Sequence, residues 1–296
     1  MTESAFLFAV CQAGSEGALK REVAREHPSL RLAFSRPGFL TFKSPSPLGA
    51  DVELRSVFAR VSGLSLGRAP TPDHDLVHRY SRDGLLPLVR EGRPAEPGER
   101  VLDRVIVDPG EEWVGLHLHG PGRSAHPAGN PALALPSHAP SRAYQKLAEA
   151  LLWSGAQPQP GECALEIGSA PGGAALLLLE KGLHVIGVDP APMAPRVLAS
   201  KAFTHLKRGA EKLTPKDLPR PPDWLLLDVN LPPEQALPLI EPFAAGCRGL
   251  LLTLKIHDDA SADRIPRWLA RLGLPARATQ LPSHKSEILV YASQRA

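Results

Sequence analysis

The sequence predicts an α/β protein whose C-terminal part is an open sheet, mixed but mostly parallel, preceded by a smaller α+β region. Three observations carry this. From residue 141 onward, apolar runs of strand length alternate with helical patterns, which requires a parallel sheet covered by helices. The first of those strands enters a glycine-rich turn that opens directly into a helix. With 43% hydrophobic and 22% charged residues, the 296-residue chain has the composition of a globular protein large enough to bury a core.

Taken in order, residues 5–11 read as a buried strand. Residues 15–26 (SEGALKREVARE) read as a helix with Ser15 as its cap. Residues 38–43 alternate as a strand, and 51–60 (DVELRSVFAR) read as a second helix. These elements make a small N-terminal domain over 1–65. Residues 66–100, rich in Pro, Gly and charge, read as loop. Residues 101–107 and 112–119 suggest a hairpin across Asp108-Pro109-Gly110, and 120–140 is a connector.

A domain over 136–296 follows. Helices are expected at 141–154, 172–182, 233–246 and 259–272, and strands at 163–167, 184–188, 223–228 and 249–254. Two last runs, 276–281 and 287–292, have no helix between them and would add an antiparallel edge.

Other features exclude function classes. The 32 prolines are roughly twice the usual share and stiffen loops such as 215–222. The three cysteines, Cys11, Cys163 and Cys247, are odd in number and form no CxxC pair, so neither a disulfide framework nor a zinc site is implied, and a reducing cytoplasm fits. The N-terminal apolar run lacks a basic leader and carries Glu3, unlike a signal peptide. No stretch has the 18 or so apolar residues of a membrane helix. Residues 1–136 hold 16 Lys+Arg and 16 Asp+Glu, so the other 18 and 15 supply the whole net charge of +3. That excess weakly favours an anionic substrate for the C-terminal half. His117 and His119 lie two apart and share a strand face; they read as surface or hairpin residues rather than metal ligands.

The turn in CALEIGSAPGG (163–173) sits at the carboxyl end of a strand, where open α/β sheets bind ligands. Gly168 permits the tight turn, Pro171 stiffens it, and Gly172 and Gly173 would let the backbone approach a ligand. The pattern is neither GxGxxG nor a P-loop. The second strand ends at Asp189, 23 residues after Glu166, where an acid hydrogen-bonds ribose hydroxyls. Such a Rossmann-like site, with a ribose carboxylate and no anion cradle, suits S-adenosylmethionine, which carries adenosine and no phosphate.

Four more residues stand out: Lys146 in SRAYQKL, Asp228 ending WLLLD, Lys255 ending LLLTLK, and Glu287 opening the last strand. Singly, each has a bland reading as a solvated charge or a helix cap. Lys255 is the least bland, because it follows an apolar strand and sits at the sheet's carboxyl edge. Together, in this order and with the words EIGSAPGG, GVDPAPM and SEILVY, they resemble the FtsJ-like RNA 2′-O-ribose methyltransferases. Within these the likeness is nearest to the RlmM large-subunit ribosomal RNA family, through PSHAPSRAYQKLAEA (136–150) and, more weakly, AVCQAGSEGALKREV, VFARVSG and WVGLHL upstream.

The resemblance implies a Lys146-Asp228-Lys255-Glu287 catalytic set acting on RNA, in particular ribosomal RNA. It also implies cofactor contacts from Gly168, Ala170, Pro171, Gly172, Gly173, Asp189, Asp228 and Ala143, the last standing where the family tends to have Ser. It further implies that 66–135 is a reduced THUMP-like RNA-binding region or a linker. One departure is Gly209, in LKRGAEKL, where the family carries an Asp that contacts adenine.

In the mechanism this implies, the enzyme places a ribose 2′-hydroxyl in line with the methyl group and removes its proton. Lys255 is the expected base. The reference pKa of lysine is about 10.4, which burial and the like charge of Lys146 would lower. Asp228 and Glu287 would pull the other way while holding the amine in place, and Lys146 and Glu287 would orient the ribose. No metal is needed. A base methyltransferase would show Asn/Asp-Pro-Pro-aromatic after the strand 223–228, whereas the chain reads DVNLPPEQA. The remaining rivals are an RNA-binding scaffold without turnover and a small-molecule O-methyltransferase.

Overall fold

The computed structural model describes residues 3–68, 74, 76–120 and 123–294. Parts of the expected loop 66–100 and connector 120–140 lie outside the described residues. The chain divides into two compact units, Met1–Pro131 with Asp258–Asp263, and Ala132–His257 with Arg264–Ala296.

The first unit is built on one eight-stranded sheet. Its elements are β1 (Ser4–Val10), α1 (Glu16–Glu26), β2 (Arg31–Arg36), β3 (Phe39–Leu48), β4 (Val61–Gly67), β5 (Val77–Ser81), β6 (Arg90–Glu91), β7 (Arg100–Asp108) and β8 (Glu111–Leu118). Spatial order is β2-β3-β1-β4-β8-β7-β5-β6, antiparallel except for β5 beside β7. Phe8, Phe39, Tyr80 and Val107 form the centre of its core.

Several expectations change here. The boundary expected at 65 falls inside β4, which pairs with β1 on one side and β8 on the other, so strands from before and after it share one sheet. The stretch 66–100 is not all loop, since β5 and β6 lie within it. Strand β2 was not anticipated. Residues 51–60 are not helical. There the Ser56 hydroxyl accepts the Phe58 and Ala59 amides at 3.1 and 3.0 Å, and the buried Glu22 carboxylate accepts the Val57 amide at 2.8 Å. Side-chain acceptors have taken the amides a helix would use. Helix α1 forms as expected, but Ser15 makes no side-chain cap bond.

The two hairpin histidines are not on the surface. His117 is 3% and His119 8% exposed. His117 Nδ1 lies 2.5 Å from Asp103 Oδ2, and the Tyr80 hydroxyl donates to Asp103 Oδ1 at 2.9 Å. His117 lies in β8 and His119 just beyond its end, and both are covered.

The second unit carries a seven-stranded sheet. Its elements are α2 (Ala143–Ser154), β9 (Cys163–Ile167), α3 (Gly173–Glu180), β10 (His184–Val188), β11 (Phe203–Leu206), β12 (Trp224–Asp228), β13 (Gly249–Lys255), β14 (Ala276–Thr279) and β15 (Glu287–Ser293). The order is β11-β10-β9-β12-β13-β15-β14. All neighbours are parallel except β15, which runs antiparallel to both β13 and β14, the expected edge. Every residue of β9 is buried, and α3 packs Ala175 and Leu178 into the core. Gly155, at φ +68°, ends α2 in the left-handed conformation that glycine allows.

The third strand, β11, was not anticipated. The helix expected at 233–246 is broken into short pieces, 233–236, 237–239 and 241–244. Pro238 and Pro242 lack the amide a continuous helix needs. The helix expected at 259–272 is α-helical only over Ile265–Arg271, after a 3₁₀ stretch. Among the described residues, no helix is long and apolar enough to cross a membrane.

Candidate active site

The strand order reverses between β9 and β12, and ligands bind an open α/β sheet outside the carboxyl ends at such a point. The glycine-rich turn leaves β9 there. Gly168 has φ +84°, and a Cβ on it would stand 2.2 Å from the Asp228 carbonyl oxygen at the end of β12. Only glycine combines that conformation with that approach.

The next two glycines are closely packed. Gly172 has φ +105°, and a Cβ there would meet Val197 and Met193 at 2.8 and 2.9 Å. A Cβ on Gly173 would lie 2.3 Å from Ser141 Oγ. At both positions close packing against protein leaves no room for a side chain. Asp189 reaches back to the turn: its Oδ2 accepts the Ala170 amide at 3.0 Å and its Oδ1 the Ala191 amide at 2.8 Å. A carboxylate has about four acceptor positions, so Asp189 keeps acceptor capacity beyond these two bonds. Ala143 opens α2, and Pro171 is exposed at the turn. Gly209 follows β11 by three residues, and the Glu211 carboxylate lies where a side chain at 209 would begin.

Lys146, Asp228, Lys255 and Glu287 come from four elements and converge. Asp228 and Lys255 are the last residues of β12 and β13, and register places Glu287 directly opposite Lys255. Lys146, from the first turn of α2, donates to Glu287 Oε2 at 2.6 Å and to Asp228 Oδ2 at 3.4 Å. Lys255 donates to Glu287 Oε1 at 2.5 Å and stands 3.8 Å from Asp228 Oδ1. The two lysines thus share both carboxylates. Burial works to raise the pKa of Glu287, but the hydrogen bonds and charges of the two lysines outweigh it and hold the group at about 2.

Sequence reasoning passed over four features of this neighbourhood. Glu166 is fully buried, accepts the Ser169 hydroxyl at 2.6 Å, and is pushed by burial up to about 8, with the charges of Asp228 and Asp189 adding to the effect. His284 is 1% exposed, held neutral by burial with its pKa lowered to about 3, and its Nδ1 has no hydrogen-bond partner. A small cavity of about 30 Å³ is lined by Lys146, Asp228, Glu166 and His284 together. A larger cleft of about 300 Å³ opens beside Lys146, Lys255 and Glu287. Glu166 lies in the apolar run 163–167, which hints at its burial, but its shifted protonation and the burial of His284 depend on the assembled fold. Among the described residues, no group of three or more His, Cys, Asp or Glu side chains is arranged to hold a metal ion.

No protein-family model matches the chain. Curated relatives do. A ribosomal RNA large subunit methyltransferase M from Halorhodospira halophila is 34% identical over 217 residues, covering 71% of this chain and 62% of the relative. The protein of that name from Alkalilimnicola ehrlichii is 33% identical, covering 66% and 53%. The one from Azoarcus sp. is 31% identical over 258 residues, covering 78% and 69%. The chain therefore matches between about half and two thirds of these relatives' length. Solved structures overlay less well. They include a Burkholderia thailandensis 1,6-didemethyltoxoflavin-N1-methyltransferase (16% identity, 53% of this chain and 78% of that one, TM-score 0.40). The Methanococcus jannaschii fibrillarin pre-rRNA processing protein overlays similarly (17%, 71% and 90%, TM-score 0.40). At that overlap neither bears on function.

Proposed function

The chain belongs to the ribosomal RNA large subunit methyltransferase M family, and from that premise we propose that it transfers a methyl group from S-adenosylmethionine to a ribose 2′-hydroxyl of RNA, with ribosomal RNA as the substrate. The observation that carries the proposal is the convergence of Lys146, Asp228, Lys255 and Glu287 within ion-pair distance at the sheet's carboxyl edge, beside the Gly168 turn.

The cofactor fits the residues present. The turn 168–173 brings backbone close without a phosphate cradle, and Asp189 retains acceptor positions for ribose hydroxyls. Gly168, Ala170, Pro171, Asp189, Asp228 and Ala143 would hold it, while Gly172 and Gly173 shape the turn through their packing. When bound, the cofactor supplies a methyl group already made electrophilic by its sulfonium.

The chain's own task is to place an oxygen and remove a proton. Lys255, once it has given up its own proton to solvent, would take the 2′-hydroxyl proton on Nζ as the methyl group is transferred; the ammonium so formed lies beside Glu287 and Asp228, which stabilise its charge. Lys146 is fixed by the same two carboxylates and orients the ribose oxygen. Glu287 holds both lysines at once, so it sets the spacing between base and orienting group. Positioning of this kind supplies much of the rate where the electrophile is already activated.

The test is the Lys255 series in methyl transfer from labelled cofactor to ribosomal RNA. Lys255→Ala leaves cofactor binding by calorimetry within about twofold and lowers turnover by roughly 10²–10⁴, the range for a lost acid–base group. Lys255→Arg fails to rescue, because guanidinium does not release its proton in a protein. If Lys255 only paired with the carboxylates for stability, Arg would substitute with near-native turnover, and the assigned base would be wrong.

A further inference from the structure

The catalytic set leaves part of its own cleft unexplained. Beside Lys146, Lys255 and Glu287, the cleft of about 300 Å³ is lined by Arg142 and Lys285. The four cations face a single lining carboxylate, Glu287, and that acid is already bonded to Lys146 and Lys255. Arg142 and Lys285 are exposed, and the side chain of neither has an ion-pair or hydrogen-bond partner among the described residues. They stand on different elements, Arg142 at the N-cap of α2 and Lys285 on the loop between β14 and β15. Two unpaired positive charges therefore line the same cleft as Lys146, Lys255 and Glu287.

The loop bearing Lys285 is built at a polar cost. Gln280 Oε1, Ser283 Oγ and His284 Nδ1 are buried without hydrogen-bond partners in the structure. Each such atom has given up its hydration without a protein partner in return. The loop keeps its shape because the Gln280 amide donates to the Lys285 carbonyl at 2.8 Å and the Ser283 amide donates to Glu149 Oε2 at 3.0 Å. Unsatisfied buried groups call for an explanation, and a functional loop held in one conformation is one.

The lining contains no Phe, Tyr or Trp, so a base has no large aromatic face to stack on. What the cleft offers beyond its catalytic groups is cationic, which suits phosphate oxygens. We propose that Arg142 and Lys285 clamp the backbone phosphates on either side of the target ribose, and so select a nucleotide within an RNA strand over a free nucleoside. The inference rests on the RNA-methylating reading above and names how the same site holds its substrate. Phosphate contacts fix register without reading sequence.

The test uses the full chain. Binding of a fluorescein-labelled single-stranded oligoribonucleotide is measured by anisotropy across salt concentrations, alongside methyl transfer to ribosomal RNA. Each of Arg142→Ala and Lys285→Ala lowers the slope of log affinity against log salt by about 0.7, one released phosphate contact on a single strand. Each raises KM for RNA by roughly two- to fivefold, as for an exposed ion pair, with cofactor affinity unchanged. Arg142→Lys keeps the slope. Lys181→Ala removes the same charge at the C-terminal end of α3, away from the carboxyl edge, and leaves the slope as in the wild type. A double variant with wild-type slope and KM overturns the clamp. A wild-type chain that binds the oligonucleotide with the expected slope changes but methylates no RNA overturns the proposed reaction and leaves the clamp standing.

Discussion

Glu166 is a buried and Glu287 a partly buried carboxyl group near the same edge, and their surroundings drive them in opposite directions. Glu287, held at about 2 by two lysines, contributes stability above its ordinary value of 4.5 that is lost as pH falls toward 2. Glu166, pushed up to about 8, contributes stability that is complete below 4.5 and lost as pH rises toward 8. Denaturant titrations should resolve the two. Relative to Glu166→Gln, the wild type should lose stability as pH climbs from about 4.5 to about 8. Relative to Glu287→Gln, it should lose stability as pH falls from about 4.5 to about 2. Differences that stay flat across either window would contradict the environment assigned to that residue. At this scale the sequence was informative where chemistry is local. Lysines and acids ending strands can be picked out by their neighbours. The protonation of Glu166, the neutrality of His284 and the free cations Arg142 and Lys285 cannot, because each depends on what lies nearby in space.

On either side of β9, beside the proposed cofactor site, two glycines are needed for different reasons: Gly161 before the strand and Gly168 after it. Gly161 and Gly168 have nearly the same φ, +85° and +84°, but a Cβ on Gly161 meets nothing within 4 Å while one on Gly168 would strike the Asp228 carbonyl. Gly161→Ala should therefore cost about 1–2 kcal/mol, the left-handed penalty, with cofactor affinity unchanged. Gly168→Ala should cost more and also weaken cofactor binding by at least tenfold, because the turn must move away from β12. Equal effects of the two variants on calorimetric binding would mean that the turn does not form the cofactor site. The periodic strands β9, β10, β12 and β13 were legible to within a residue, since buried parallel strands read as apolar runs. Helices were overextended where proline breaks them, at 238 and 242, and one was assigned at 51–60, where Ser56 and Glu22 capture the backbone amides. A short edge strand such as β11 carries only four residues and too little pattern to be noticed.

At the scale of the whole molecule, the sequence correctly separated a βα-alternating C-terminal part from a differently patterned N-terminal one. It divided the latter at 65 because proline, glycine and charge hide the continuation of the sheet through β5 and β7. We propose that this first unit recruits RNA to the second. A fragment comprising residues 132–296, shown to be folded by circular dichroism, is then expected to bind S-adenosylmethionine but to methylate ribosomal RNA at least tenfold less efficiently than the full chain. Undiminished methylation by the folded fragment would remove the recruiting role.

The central claim is that the tetrad at the sheet's edge acts on ribose oxygen. Its most direct test is the identity of the product. Ribosomal RNA methylated by the purified full chain with isotopically labelled S-adenosylmethionine is digested to nucleosides and analysed by mass spectrometry. The account predicts that the label resides in a 2′-O-methylnucleoside, with an unmodified base released on glycosidic fragmentation. Label that stays with the base on fragmentation would contradict it.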